Sequence, residues 1–258
     1  MDTANNQGYV NAITLENGIT TISFFHPAQN SLPGNLLLQL AQSIQNAGKN
    51  PLTKVIILKS DGNHAFCAGA SFNELLQITN KQQGLDFFAG FANVINACRT
   101  STKIIIGRVH GNAVGGGVGI AAATDHCLAT SNAAIKLTEL TIGIGPFVIE
   151  PAVKRKIGLS AFTHITLNAA DFYSAQWAKE KGLFAQLFDN EEQMDNAINL
   201  LTQNIITWSP DAVSAFKKML WEGTENWETL LTERAAISGE LILSAFAQNA
   251  ISKFKAHK

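Results

Sequence analysis

Residues 110–119 read His-Gly-Asn-Ala-Val-Gly-Gly-Gly-Val-Gly, with five glycines in the nine positions from Gly111 to Gly119. Glycine loses more backbone freedom on folding than any other residue, so this density is destabilising inside a regular element. It belongs where the backbone must approach another group closely, or where bare N–H groups must point at one. The apolar residues 103–109 before the run read as a buried strand, and Ile120-Ala121-Ala122-Ala123 after it reads as helix. The run is therefore a strand-to-helix turn. The N–H groups of a helix's first turn have no partner within the helix, and the helix dipole makes that end electropositive. Such a turn is a seat for a negatively charged oxygen.

Strand and helix patterns alternate around this turn. Residues 10–16 and 19–25 are β-prone runs joined at Asn17-Gly18, a strong hairpin signal. A loop with two prolines covers residues 26–33, helical spacing covers 36–47 and closes at Gly48, and a short apolar strand covers 54–59. The turn at 60–63 leads into the small residues of 64–72, a second strand-end turn of the same kind. A short helix begins near 73–78, and a longer one spans 84–98. After the glycine run come short strands at 127–130 and 134–137, a turn-rich stretch at 138–146, and helical patterns from Phe147 onward. The predicted organisation is an α/β core over residues 1–200 with a helical part over 201–258. A chain of 258 residues is long enough for such a core.

A formal net charge of −1 gives no electrostatic footprint for nucleic acid or an anionic membrane surface. No apolar stretch reaches the ~18 residues of a membrane span. Residues 1–8 are polar, so no secretory leader is expected there. Cys67, Cys98 and Cys127 are odd in number and lack CxxC spacing, which reads as buried free thiols in a reducing, cytoplasmic setting. His64 and His126 stand alone, and no His/Cys/carboxylate cluster has metal-ligand spacing.

Which oxygen the turn receives decides the chemistry. Residues 117–122 match G-x-G-x-x-A, and Glu139 lies 20 positions past Gly119, a superficial dinucleotide fingerprint. Its context is wrong, because the glycines do not follow the strand at once and strands are scarce after it. Neither G-x-x-x-x-G-K-[ST] nor G-x-S-x-G is present. The other reading is an enolate, which needs N–H groups from two separate turns aimed at one carbonyl oxygen, and a base nearby. The turns at 68–70 and 115–117 supply the amides, and Glu139 supplies the base.

At these residues the chain resembles the crotonase family, the enoyl-CoA hydratase/isomerase group. The resemblance rests on Phe66-Cys67-Ala68-Gly69-Ala70, on the H-G-x-A-x-G-G-G run from His110 to Gly117, and on the loop His26-Pro27-Ala28-Gln29-Asn30-Ser31-Leu32. It implies a crotonase-like spiral of ββα units whose helical C-terminal part packs subunits into homotrimers or homohexamers. It implies an acyl-CoA thioester as substrate, with coenzyme A as part of that substrate and no separate cofactor or metal. The oxyanion-hole donors would be the N–H groups of Ala70 and Gly116, with Ala28 and the backbone of Ala68 at the CoA.

Hydratases of the family hold one water between two glutamates. The first lies three residues after the hole glycine, where this chain has Gly119 and an open place instead of a carboxylate. The second matches Glu139. Moving a double bond needs only one base, which takes a proton from one carbon and returns it to another. The expectation is Δ3-Δ2 enoyl-CoA isomerisation by Glu139. The alternatives are hydration with another partner, a different enolate reaction, or a CoA-binding member with weak or lost activity. Asp125 is expected to cap or pack a helix end, and Ser71 stands where the family usually has Asp. Glu150 is a candidate to reach the acyl pocket, and Phe87, Phe88 and Phe91 are core or pocket wall. Leu241, Ile242, Ala245, Phe246 and Ile251 are divided between core and interface. Lys253 and Lys255 are candidates for CoA phosphates.

Overall fold

The computed structural model describes residues 8–256, with side chains up to Lys253, so residues 1–7 and the side chain of Lys255 lie outside the described residues. The chain opens with a hairpin, β1 (Tyr9–Thr14) antiparallel to β2 (Ile19–Phe25), turning at Gly18 with φ of 95°. Then follow α1 (Gly34–Lys49), β3 (Val55–Ser60), α2 (Phe72–Leu75), α3 (Lys81–Thr100), β4 (Ile104–Val109), β5 (Ala113–Val114), α4 (Gly116–Ala123), β6 (His126–Thr130) and β7 (Ala134–Lys136). A 3-10 turn, Glu139–Ile142, precedes α5 (Glu150–Leu167), which is broken at Gly158. The chain continues through β8 (Tyr173–Ser174), α6 (Ala175–Glu180), β9 (Gln186–Phe188), α7 (Glu191–Ile205), α8 (Pro210–Leu220), α9 (Trp227–Leu241) and α10 (Ala245–Ala256).

The large sheet runs β1-β2-β3-β4-β6-β9 and is parallel except at β1. Parallel strands covered on both faces read as continuous apolar runs, as Val55-Ile56-Ile57-Leu58 does. Alternate side chains enter opposite cores. Ile56 and Leu58 join α1 and α3 in one, while Val55, Ile57, Ile104 and Ile106 join Met194 and Ile198 of α7 in the other. Each such side chain removed from water contributes about 1.5–3 kcal/mol.

A second ladder runs beside the first. Leu32 bridges Ala70, Cys67 bridges Ala113, Ala113 pairs with Ile135, and Ile135 pairs with Tyr173. The chain thus repeats one unit: a long strand, a short bridged segment in a second layer, then a helix or turn. This is the expected spiral of ββα units. Ala70, Gly116 and Glu139 each follow a short segment of the second ladder, and all three line one cavity.

Two expectations change. The region after Phe147 is not purely helical, because β9 closes the sheet edge beside β6. Three residues are too few to display the two-residue period. The predicted division at residue 200 falls inside α7. The later helices dock tightly on the core: a Cβ on Gly84 of α3 would lie 2.6 Å from Gly239 Cα of α9.

Candidate active site

Ala70 enters the site through the second ladder. The N–H of Leu32 donates to the Gly69 carbonyl at 2.8 Å, and the N–H of Ser71 donates to the Leu32 carbonyl at 3.2 Å. Successive amides of an extended segment point opposite ways, so the Ala70 N–H faces away from Leu32. Gly69 makes the turn with φ of 83°, and a Cβ there would come within 2.8 Å of the Val114 carbonyl oxygen and 3.4 Å of the Gly116 nitrogen. The two turns therefore abut. Gly116 is the first residue of α4, so its N–H belongs to the set with no intrahelical partner. The carbonyl of the preceding Gly115 accepts from Val118 at 2.9 Å and Gly119 at 3.4 Å.

Ala70 and Gly116 line a narrow cavity of about 60 Å³ together with Glu139. Its other walls are mainly apolar, with Leu75, Phe88, Phe91, Ile144, Phe147 and Ile149 prominent. Among the described lining residues Glu139 is the only titratable side chain. It opens the 3-10 turn that Gly143 closes in the left-handed conformation, φ 76°. The residue is half-buried, but its Oε2 is enclosed and has no hydrogen-bond partner. Burial pushes its carboxyl up to about 7, opposed by the backbone N–H groups of Glu139 and Thr138. A Cβ on Gly115 would lie 2.8 Å from Glu139 Oε1, which places the carboxylate beside the start of α4.

Close approach explains the rest of the glycine run. A Cβ would fall 2.2 Å from the Phe91 ring at Gly116, 2.4 Å from the Cys67 carbonyl oxygen at Gly117, and 2.1 Å from the His64 carbonyl oxygen at Gly111. At Gly119 it would fall 2.3 Å from Ile149 Cγ2 and 2.7 Å from Ile149 Cβ. The open place expected above Gly119 is thus filled: Ile149, 4% exposed, packs directly on the bare backbone.

The CoA candidates sit on joined loops. The Ala68 N–H donates to the Gln29 carbonyl at 3.1 Å. Ala68 lines the cavity, while Ala28 stands exposed outside its lining. Asn30, 3% exposed with φ of 55°, ties this loop to its neighbour: Oδ1 accepts from the His26 N–H at 2.7 Å, and Nδ2 donates to the carbonyls of Asp61 and Ala65, both at 2.9 Å.

Asp125 is a packing group. Its carboxylate accepts from Lys217 Nζ at 2.6 Å, Trp221 Nε1 at 2.8 Å and the Ile105 N–H at 2.8 Å. Glu150 pairs with Lys154 and does not line the cavity. Phe88 and Phe91 are cavity wall, whereas Phe87 is not. The three cysteines are free and buried, and burial pushes each thiol up to about 12. No metal-binding cluster occurs among the described residues, and no described helix is long and apolar enough to cross a membrane. Sequence reasoning missed Ser238, which reaches the cavity from α9, and Ile149. Nothing in their local sequence distinguishes either from an ordinary helix-packing residue.

Comparison with known proteins agrees with this architecture. The enoyl-CoA hydratase of Bacillus halodurans superposes with a TM-score of 0.88 at 19% identity, covering 95% of this chain and 99% of that one. An enoyl-CoA hydratase of Mycobacterium avium superposes at 0.81 with 23% identity, covering 100% and 98%. The peroxisomal Delta(3,5)-Delta(2,4)-dienoyl-CoA isomerase of Arabidopsis thaliana is 27% identical over 211 residues, 76% of this chain and 74% of that protein. The mitochondrial methylglutaconyl-CoA hydratase of Mus musculus is 27% identical over 201 residues, 76% and 63%. The 3-hydroxyisobutyryl-CoA hydrolase of Bos taurus is 30% identical over 172 residues, 64% of this chain but only 45% of the hydrolase. The sequence pattern of the enoyl-CoA hydratase/isomerase family matches residues 14–255, and the chain belongs to that family.

Proposed function

We propose that the chain binds an acyl-CoA thioester and moves a carbon–carbon double bond from Δ3 to Δ2, with Glu139 carrying the proton. The observation behind this reading is that Glu139 is the one titratable side chain among the described residues of the cavity wall, while the second-carboxylate position, Gly119, is covered by Ile149. In the forward step the Glu139 carboxylate takes a proton from C2 of a 3-enoyl thioester. The C–H electron pair passes into the conjugated system, and the thioester oxygen gains negative charge. The N–H groups of Ala70 and Gly116 stabilise that charge; losing one donor of such a pair costs about 3–4 kcal/mol of transition-state stabilisation. Glu139, now a carboxylic acid, delivers the proton to C4, the double bond settles between C2 and C3, and the carboxylate is regenerated. A carboxyl near pH 7 suits both directions of transfer.

Ala28 and Ala68 are assigned to the CoA, whose thioester end enters where Ala68, Ala70 and Gly116 meet. That a relative named as a dienoyl-CoA isomerase matches along 76% of the chain supports double-bond migration within this family. The C-terminal helices carry exposed Phe216, Met219, Ile237 and Phe246, which we assign to contacts within a homotrimer or a homohexamer. The reaction is tested by assaying 3-enoyl-CoA conversion and 2-enoyl-CoA hydration side by side. Faster double-bond migration supports the assignment, and faster hydration replaces it with a hydratase.

A further inference from the structure

Two glycines of the cavity wall, Gly116 and Gly145, and Gly119 behind the wall residue Ile149 have apolar side chains pressed against them. A Cβ would overlap the Phe91 ring at Gly116, Ile149 at Gly119, and the Phe147 ring at Gly145, where it would lie 2.3 Å from Phe147 Cζ. The bare backbone that admits a negative oxygen also lets hydrocarbon close around the base. A water held beside Glu139 needs two to four polar partners. The side chains of Ile142, Ile144, Phe147, Val148 and Ile149 supply none; the wall's other polar groups are the Thr138 hydroxyl, the Ser238 hydroxyl, which donates to the Arg234 carbonyl at 3.3 Å, and the Ala70 and Gly116 amides, which the thioester oxygen takes up when substrate is bound.

We infer that Ile149 is a specificity-determining residue: packed on Gly119, it keeps water from Glu139, so the proton taken from C2 is the proton delivered to C4. The inference rests on the isomerase reading above. In a wet site the Glu139 acid would exchange its proton with solvent before delivering it, and a water activated there could add to the double bond. With Ile149 in place both are suppressed. Ile149 does not touch the bond being rearranged in this scheme; it acts by excluding the competing reactant.

The test follows a solvent label. Unlabelled 3-enoyl-CoA is converted in D2O by the wild-type protein and by Ile149→Ala and Ile149→Val, with single-turnover product examined by mass spectrometry for deuterium at C4. The wild-type product is expected to be mostly unlabelled. The label should rise several-fold in Ile149→Ala and by less in Ile149→Val, with hydrated product increasing in the same order. Ile149→Val removes one methyl group and keeps the result readable if the alanine variant folds poorly. Full C4 labelling by the wild type, or equal labelling in wild type and both variants, overturns the role of Ile149 while leaving double-bond migration standing. Absence of migration by the wild type overturns the isomerase reading and this inference with it.

Discussion

Glu139 joins the stability of the protein to its proposed chemistry. Its carboxyl is held at about 7 against an ordinary value of 4.5, because burial disfavours the charged form. A raised carboxyl binds its proton more tightly in the folded chain than in the unfolded one. Its contribution is therefore fully present below pH 4.5 and is lost as pH rises through about 7. The loss amounts to about 3 kcal/mol at about 1.4 kcal/mol per pH unit. Glu139→Gln lacks this liability, so urea unfolding should show the variant gaining on the wild type by about that amount between pH 4 and pH 8. A gap that does not change with pH contradicts the burial of the carboxylate. Gly116→Ala tests the close approach at the other end of the site. The new methyl group must displace the Phe91 ring, at a cost of about 1–3 kcal/mol in thermal or chemical unfolding. The same substitution in a Phe91→Leu background should recover most of that stability. At this scale glycine density made the 111–119 turn legible, while Gly116 and Glu139 were singled out through the family resemblance and by no local signal of their own. Phe91 and Ile149 were not legible as partners of glycines, because their approach depends on how α3 and the start of α5 lie across α4.

The elements are held by polar junctions that the hydrophobic pattern does not show. Lys217 of α8 and Asp125 before β6 both have side chains 2% exposed, and Lys217 Nζ also donates to the Cys98 carbonyl at 2.8 Å. One pair thus ties α8, the end of α3 and the turn after α4. Lys217→Met leaves Asp125 buried without its cation and should cost about 3–5 kcal/mol, measured by urea unfolding. A loss below 1 kcal/mol would mean that the pair contributes little. The long apolar strands, the Asn17-Gly18 hairpin and α1 followed directly from periodicity and turn chemistry. β9 did not, nor did the ladder from Leu32 to Tyr173, whose members are one to three residues long and gain their order from neighbours in other repeats. Asn30 lies between these cases: it stood out as part of a loop, but only the fold shows one amide side chain joining three backbone segments.

Over the whole molecule the spiral carries Ala70, Gly116 and Glu139 to one cavity, and α9 lies close enough to α3 for Ser238 to join the wall. Through Ser238, α9 is therefore part of the cavity wall, and the C-terminal helices are candidates for subunit contacts. Light scattering should give a mass three or six times that of the 27.7 kDa chain; a monomer at micromolar concentration contradicts the proposed assembly. In the proposed reaction one enclosed carboxylate, Glu139, moves the proton. The most direct test of that role is the rate of 3-enoyl-CoA isomerisation by wild type and Glu139→Gln across pH 5–9. Wild-type kcat/KM is expected to rise to a plateau with a midpoint near 7, and the variant to be slower by about 10²–10⁴-fold throughout. A variant within a few-fold of wild type, with the same pH profile, would contradict that role.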